Sequence, residues 1–329
     1  MVDQTEVAGK ERRWTLGARS TYVRLESLIV LIGLSAVMAI LSPFFLQASN
    51  LLNILLASAT IGVLAIGATY VISSAGLDLS LGSVLGLSAV VGAFTAERLG
   101  LPWPLAVAAC LAAGALAGWI NGQLVTRAAI PAFIVTLGML GIARGLALII
   151  SDGRAIYGLP EGIVFLGQGR PFGVPMPVFI FIGVAIVTHY ILSHTRFGAH
   201  TLAIGDNEAA ARATGIQVDR HRRKLYAFSG LMAGIAGLIF MARVNAGDPT
   251  AGLNYELTAI TAAIIGGTNL FGGRGSILGT MIGALIMGVL QNGLNLLAVQ
   301  SYYQQMAIGA VLILAVFLDQ WQARKAEAR

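Results

Sequence analysis

Ten apolar stretches occupy most of this 329-residue chain, and they constrain its fold more than any other feature. Most of them approach the ~20 residues that an α-helix needs to cross the hydrocarbon core of a bilayer. Charged residues make up only 11% of the chain, whereas about 25% is usual in soluble globular proteins. No hydrophilic block between the stretches is long enough to form a second core. The sequence therefore predicts an all-α, polytopic membrane helical bundle.

We expect about ten transmembrane helices, some of them broken or re-entrant. The predicted spans are residues 25–46, 51–73, 81–96, 104–125, 131–150, 178–192, 225–242, 257–267, 277–299 and 306–318. Two of them, 257–267 and 306–318, are too short for a full span, so they are extended by polar flanks, broken or re-entrant. Broken helices are tolerated where protein or a water-filled cavity surrounds them, as in a transport pathway.

Basic residues concentrate in three segments, which hold 14 of the 21 Lys and Arg. The segments are residues 1–24, a central polar segment (residues 194–224) and the C-terminal tail. Because short loops rich in Lys and Arg mark the cytoplasmic side of a membrane, both termini and the central polar segment are predicted to be cytoplasmic. The chain is thus divided into a cytoplasmic N-terminal segment (1–24), a single transmembrane domain (25–319) and a cytoplasmic tail (320–329).

Residues 205–215 of the central polar segment, GDNEAAARATG, have the pattern of a short helix. Asp206 or Asn207 suits its N-cap, Glu208 lies near its positive end, and Gly215 suits its stop. Its small side chains, which fit a groove on another protein, are Ala209, Ala210 and Ala213. A plain connecting helix is equally compatible with the pattern.

Polar residues inside the apolar stretches are candidates for a translocation pathway. A charge at the bilayer centre costs ~2.5–3.5 kcal/mol on insertion scales, so such groups usually face protein or water. Asp78, between Gly76 and Ser80, also suits the cap of a half-helix. The pathway candidates are Asn53, Asp78, Asn121 and Asn292, of which the last two also suit bridges between helices.

Glycines four residues apart recur along the chain, and small residues at this spacing let transmembrane helices approach closely. The pairs are Gly82/Gly86, Gly114/Gly118, Gly141/Gly145, Gly230/Gly234 and Gly279/Gly283.

The motifs of nucleotide-driven or catalytic proteins are absent from the sequence. It contains no Gly-x4-Gly-Lys-Ser/Thr phosphate loop, and no Ser, His and acid set suggests a catalytic face. We therefore expect no enzyme activity, no metal and no cofactor. The histidines in or beside the central polar segment, namely His194, His200 and His221, are expected to be solvated.

Several blocks of the sequence follow the pattern of one transporter family. Residues 76–83 read GLDLSLGS, residues 130–138 read IPAFIVTLG, and Arg144-Gly145 follows. Tyr255-Glu256-Leu257 precedes the glycine-rich block 266–280, and residues 291–294 read QNGL. Together these blocks resemble the permease subunits of ABC importers for ribose, xylose, arabinose and related sugars. The resemblance extends from about residue 50 to residue 319, and residues 205–215 resemble the family's cytoplasmic coupling segment.

The resemblance implies a non-enzymatic permease subunit in the bacterial inner membrane that imports a monosaccharide or related polyol by alternating access. Two permease copies, identical or related, would pair with two ATPase subunits, and a periplasmic sugar-binding protein would deliver the substrate. ATP-driven closure of the ATPases would be transmitted through a coupling helix at Gly205, Asp206, Asn207, Glu208, Ala209, Ala210, Arg212 and Gly215.

Two other classes remain open from the residues alone. An ion-coupled secondary sugar transporter is also built with broken helices, but it would need acidic residues at the membrane midplane. Asp78 and Glu256 are the clear candidates for that role. A channel or a membrane-embedded enzyme is less well supported, because the sequence suggests neither a charged filter nor a catalytic set.

Overall fold

The computed structural model describes residues 25–327, so the predicted N-terminal segment, residues 1–24, lies outside the described residues. Thirteen helices account for nearly all regular structure in the described range. They are α1 (Leu25–Leu41), α2 (Ala48–Ser73), α3 (Leu81–Ala93), α4 (Trp103–Thr126), α5 (Ala132–Ile150), α6 (Glu161–Gln168), α7 (Met176–His194), α8 (Arg196–Asp206), α9 (Glu208–Ala213), α10 (Val218–Val244), α11 (Tyr255–Ile265), α12 (Ile277–Leu296) and α13 (Ser301–Glu327).

Three small elements complete the described structure. A π-helical turn, Phe94–Arg98, extends α3, and a 3₁₀ turn, Pro171–Gly173, lies between α6 and α7. Two strands of two residues each, β1 (Ile156–Tyr157) and β2 (Ala246–Gly247), pair in antiparallel fashion. The sheet is therefore only a clip between two loops of a helical protein.

Six of the described helices are long and apolar enough to cross a membrane: α2, α4, α5, α7, α10 and α12. The prediction of an all-α polytopic membrane bundle is thus confirmed. A helix also lies in each of the other four predicted stretches, but α1, α3 and α11 are short. The exact number of ten crossings therefore stays a prediction.

The two predicted stretches that are too short for a full span, 257–267 and 306–318, form helices of different lengths in the structure. The stretch 306–318 lies inside α13, a helix of 27 residues that polar residues extend at both ends. In contrast, α11 remains a helix of 11 residues, with irregular backbone between it and α12. α3 is similarly short, and residues 76–80, which have no regular secondary structure, separate it from α2. A broken or re-entrant segment was expected at 257–267, whereas the short α3 was not expected from the stretch 81–96.

Helices α2 and α10 form the centre of the bundle. In the most apolar 18-residue segment of each helix, 67% of α2 and 72% of α10 is buried, whereas only 28% of α4 and of α5 is buried. α2 contains no charged residue, and a helix that is apolar all round is expected in an interior. α10 packs against α2, α3 and α4. The peripheral helices thus leave much of their apolar surface for lipid or for another subunit.

Glycines bring α4 and α10 into backbone contact. A Cβ atom added to Gly118 would lie 2.1 Å from the Tyr226 carbonyl oxygen, and one added to Gly230 would lie 2.2 Å from the Gly114 oxygen. On α12, a Cβ added to Gly283 would lie 1.9 Å from the Ala262 oxygen of α11. The predicted role of these glycines in close packing is confirmed.

The Gly141/Gly145 pair on α5 behaves differently. Apart from chain neighbours and the backbone of α5 itself, no described atom lies within 4 Å of an added Cβ at either position. For this pair, the prediction of close packing is wrong within the described chain.

Candidate functional site

The central polar segment folds into α8, α9 and the first turns of α10. Asn207 caps α9, because its side-chain oxygen accepts a hydrogen bond from the Ala210 amide at 3.0 Å. Gly215, with φ of 86°, follows the helix and allows the chain to turn back. The predicted short helix is therefore confirmed, with Asn207 as its cap. Gly205 and Asp206, which were assigned to the same helix, instead end α8.

One side of α9 is anchored and the other is open. Ala211 is 4% exposed and packs in a small apolar cluster with Ile204 and Val218. On the opposite side of α9 lie the exposed side chains of Ala209, Ala210 and Ala213. This exposed surface, here called the alanine face, consists of small side chains that leave the helix backbone accessible.

Charged side chains fix α9 against α10. Arg212 contacts Glu208 at 2.9 Å and Asp219 at 2.6 Å, and Arg222 contacts Glu208 at 2.7 Å. Partial burial raises the pKa of Glu208, but the hydrogen bond from Arg212 and the charge of Arg222 outweigh it, so the pKa lies below its ordinary value. Because exposed ion pairs contribute only about 0–1 kcal/mol each, their main effect is to orient α9.

The end of α8 meets two breaks in the membrane helices, and this contact is here called the glycine joint. A Cβ atom added to Gly205 would lie 2.0 Å from the Ser73 oxygen at the end of α2, and 2.5 Å from the Gly273 nitrogen. The Gly273 amide in turn donates a hydrogen bond to the Ser73 oxygen at 3.0 Å. Three backbones therefore meet at one point, where side chains would not fit.

A second connection links α8 to α10. Thr201 Oγ1 and His221 Nε2 are hydrogen-bonded at 2.8 Å, and both side chains are buried. The expectation that His221 is solvated is therefore wrong, because the packing of α8 on α10 covers its ring. Through Thr201 and Gly205, α8 is tied to both central helices of the bundle.

Asp78 is the centre of a buried polar cluster between α2, α3, α4 and α10. Its carboxylate accepts hydrogen bonds from the Ser80 amide at 3.0 Å, the Ser80 hydroxyl at 2.6 Å and the Ser229 hydroxyl at 2.8 Å. Asn121 Nδ2 donates to Ser80 Oγ at 3.0 Å. Asp78 therefore binds the backbone just before α3, as expected of a capping group, although Ser80 is the N-cap residue itself.

The other two pathway candidates lie elsewhere. Asn292 and Asn50 exchange side-chain hydrogen bonds of 2.9 and 3.0 Å, which join α12 to α2. Asn53 is exposed on α2. The structure thus brings Asp78 and Asn121 together through Ser80, whereas Asn53 and Asn292 are not part of that cluster. The assignment of all four to a pathway stays a prediction.

Two partners in these clusters were not singled out in the sequence: Asn50 and Ser229. Ser229 is 151 residues from Asp78 and Asn50 is 242 residues from Asn292, so no local spacing reveals either pair. Similarly, Arg144 of the Arg-Gly motif on α5 donates to the carbonyl oxygens of Pro249 and Ala251. This side chain holds the loop before α11.

The fold and this site are those of a polytopic membrane protein in which the central polar segment packs against the two central helices, α2 and α10. A family model described as "Branched-chain amino acid transport system / permease component" matches residues 50–316. The ribose import permease of Escherichia coli (strain K12) is 44% identical over 300 residues, covering 89% of this chain and 92% of the relative. The chain belongs to the family of ABC importer permeases, as its motifs predicted.

Other relatives are named for different sugars. The fructose import permease of Rhizobium meliloti is 37% identical over 303 residues, which cover 89% of this chain and 84% of that protein. The xylose transport system permease of Haemophilus influenzae (strain Rd) is 32% identical over 368 residues, and the match covers 92% of this chain and 98% of that protein. Members of this family are transport subunits and not catalytic enzymes.

Proposed function

We propose that this chain is the inner-membrane permease subunit of an ATP-driven importer for a monosaccharide or a related polyol. The observation that carries the proposal is similarity over about nine-tenths of the chain to permeases named for ribose, fructose and xylose, all of them monosaccharides. A neutral sugar is recognised by hydroxyl and amide groups, so the scarcity of charged residues in the apolar stretches is compatible with a sugar as substrate.

The proposed transport unit contains two permease copies, identical or related, two ATPase subunits and a periplasmic binding protein that delivers the sugar. In this arrangement both termini and the central polar segment face the cytoplasm. The proposal makes α9 the coupling helix and its alanine face the surface that enters a groove of the ATPase. This is supported by the small, exposed side chains of that face and by the buried Ala211 on the opposite side.

Movement of α9 would reach the membrane helices through two contacts. The glycine joint passes displacement of α8 to the end of α2 and to the loop before α12, because the three backbones are in direct contact. The bond between Thr201 and His221 passes it to α10. Since α2 and α10 are the two central helices, a rigid shift at α8 would alter the interior of the bundle.

The proposal is tested by reconstitution. The chain is placed in proteoliposomes with its co-purifying ATPase and binding protein, and uptake of labelled ribose, allose, fructose and xylose is measured separately. We expect uptake of at least one sugar that requires ATP hydrolysis and stops when the ATPase is omitted. Accumulation by the chain alone, driven by a proton or sodium gradient, would contradict the proposal and establish an ion-coupled transporter.

A further inference from the structure

A basic cleft lies between the end of α4 and the beginning of α10, outside the contacts described above. It has a volume of about 270 Å³. The residues that define this basic cleft are Trp119, Gln123, Arg127, Arg220, Arg223, Lys224 and Ala227. Four of the seven carry a positive charge, and none of the lining residues is acidic. None of the four cations forms a salt bridge with a carboxylate in the described range.

The cleft results from the glycine contact between α4 and α10. The two helices run antiparallel, with Gly118 against Tyr226 and Gly122 against Arg223. Successive turns of α4 present Trp119, Gln123 and Arg127, since these are four residues apart. Opposite them, α10 presents its own stripe, Arg220, Arg223 and Lys224. Arg223 donates a hydrogen bond to Gln123 Oε1 at 3.4 Å, which links the two stripes.

This stripe on α10 is not the surface that faces α9. Asp219 and Arg222 form the ion pairs to α9, whereas Arg220, Arg223 and Lys224 form none in the described structure, although Arg223 neighbours Asp219 around the helix. In the described structure, no salt bridge therefore ties the cations of the cleft to α9.

The surroundings of the cleft are those of a membrane interface. Trp119 is 48% exposed, and tryptophan is enriched where the hydrocarbon core meets the headgroups. On the same helix, Leu116, Ile120 and Leu124 are exposed beside it. Arg127 follows directly after the end of α4. The cleft thus combines an exposed apolar border on α4 with four cations, a pattern typical of a membrane interface.

We propose that the basic cleft binds the phosphate headgroup of an anionic phospholipid, with the acyl chains lying along the exposed apolar side chains of α4. Charge complementarity favours an anion, and basic pockets between membrane helices are known to hold anionic headgroups. The continuous apolar border favours a lipid over an acidic protein surface. The inference does not depend on the proposed transport function, because it concerns only the chain and its bilayer.

The test measures lipid retention by native mass spectrometry of the purified chain in detergent, titrated with phosphatidylglycerol and with phosphatidylcholine. We expect preferential binding of phosphatidylglycerol, and a loss of about 25-fold in its affinity in Arg127→Gln/Arg220→Gln, since each cation near a membrane surface contributes about fivefold. The control Arg154→Gln/Arg170→Gln removes two exposed charges from the loops between α5 and α7 and should bind as the wild type does.

Three outcomes would overturn the proposal. Wild-type affinity in the Arg127→Gln/Arg220→Gln variant would show that the cleft holds no lipid. Competition by inorganic phosphate as effective as that of phosphatidylglycerol would show a simple anion site. Unchanged lipid binding with loss of a co-purifying soluble subunit would assign the cleft to a protein contact. Should the double variant unfold, as checked by thermal unfolding, Lys224→Gln replaces it, because that side chain is exposed and forms no salt bridge in the described structure.

Discussion

Asp78 shows how a carboxyl side chain is accommodated inside an apolar bundle. It is 3% exposed, and three donors from Ser80 and Ser229 surround it. Burial of an unpaired polar group is costly, whereas a group with all its hydrogen bonds is tolerated. Because Ser229 belongs to α10 and Ser80 precedes α3, the carboxylate also ties the break before α3 to a central helix.

Asp78→Ala is therefore expected to destabilise the protein by about 1–3 kcal/mol, because it leaves the buried donors of Ser80 and Ser229 without their acceptor. Thermal unfolding of the purified chain measures this, with Ser229→Ala as the control that removes only one of the three donors. Uptake per folded molecule should fall much less than the folded yield. Wild-type stability combined with abolished uptake would instead assign Asp78 to direct contact with the sugar.

At the level of elements, the contact between α4 and α10 depends on missing side chains. Gly114, Gly118 and Gly230 place backbone against backbone, so that the two helices approach more closely than larger residues would permit. The same contact aligns the two stripes of the basic cleft. The close glycine contact between α4 and α10 therefore contributes to the stability of the bundle and also shapes the basic cleft.

Gly118→Ala is expected to lower the free energy of unfolding by about 1–3 kcal/mol, because the new methyl group collides with the Tyr226 backbone and the helices must separate. The matched control is Gly141→Ala, where no described atom lies near the added Cβ and alanine favours the helix. Thermal unfolding of both variants, purified alone in detergent, compares them. Equal midpoints would contradict the importance of this contact.

For the whole molecule, the arrangement of the central polar segment determines how movement at its surface could reach the membrane helices. α9 exposes its alanine face and is held by the ion pairs of Glu208 and Arg212, while α8 reaches α2 and α10. A force applied to α9 therefore has a connected route to the two central helices. The exposed alanine face of α9 is thus connected through α8 to the interior of the bundle.

Under the proposed function, Ala213→Trp is expected to reduce ATP-dependent uptake about tenfold or more, because a bulky side chain on the alanine face, at the end of α9, would prevent close contact with the ATPase. Membrane insertion and thermal stability should stay unchanged, since Ala213 is exposed. Ala213→Ser keeps the side chain small and serves as the control. Normal uptake by the Trp variant in the reconstituted system would remove α9 from the coupling route.

Much of the fold could be predicted because it depends on local sequence. Apolar stretches of bilayer length predict membrane helices wherever they occur, since an unpaired backbone is not tolerated in lipid. The short helix α9 was also predictable, because its cap and its stop are set by Asn207 and Gly215 within one segment. Family motifs and basic loops likewise need no knowledge of tertiary contacts.

Other features were decided only by tertiary structure. Ser229 is 151 residues from its partner Asp78, and Asn50 is 242 residues from its partner Asn292, so the spacing in the sequence does not predict either pair. Burial of His221 depends on the packing of α8, and the basic cleft exists only because α4 and α10 run antiparallel in one register. Sequence determines which segments enter the membrane through their transfer free energy, whereas the relative placement of those segments depends on side-chain packing between distant residues.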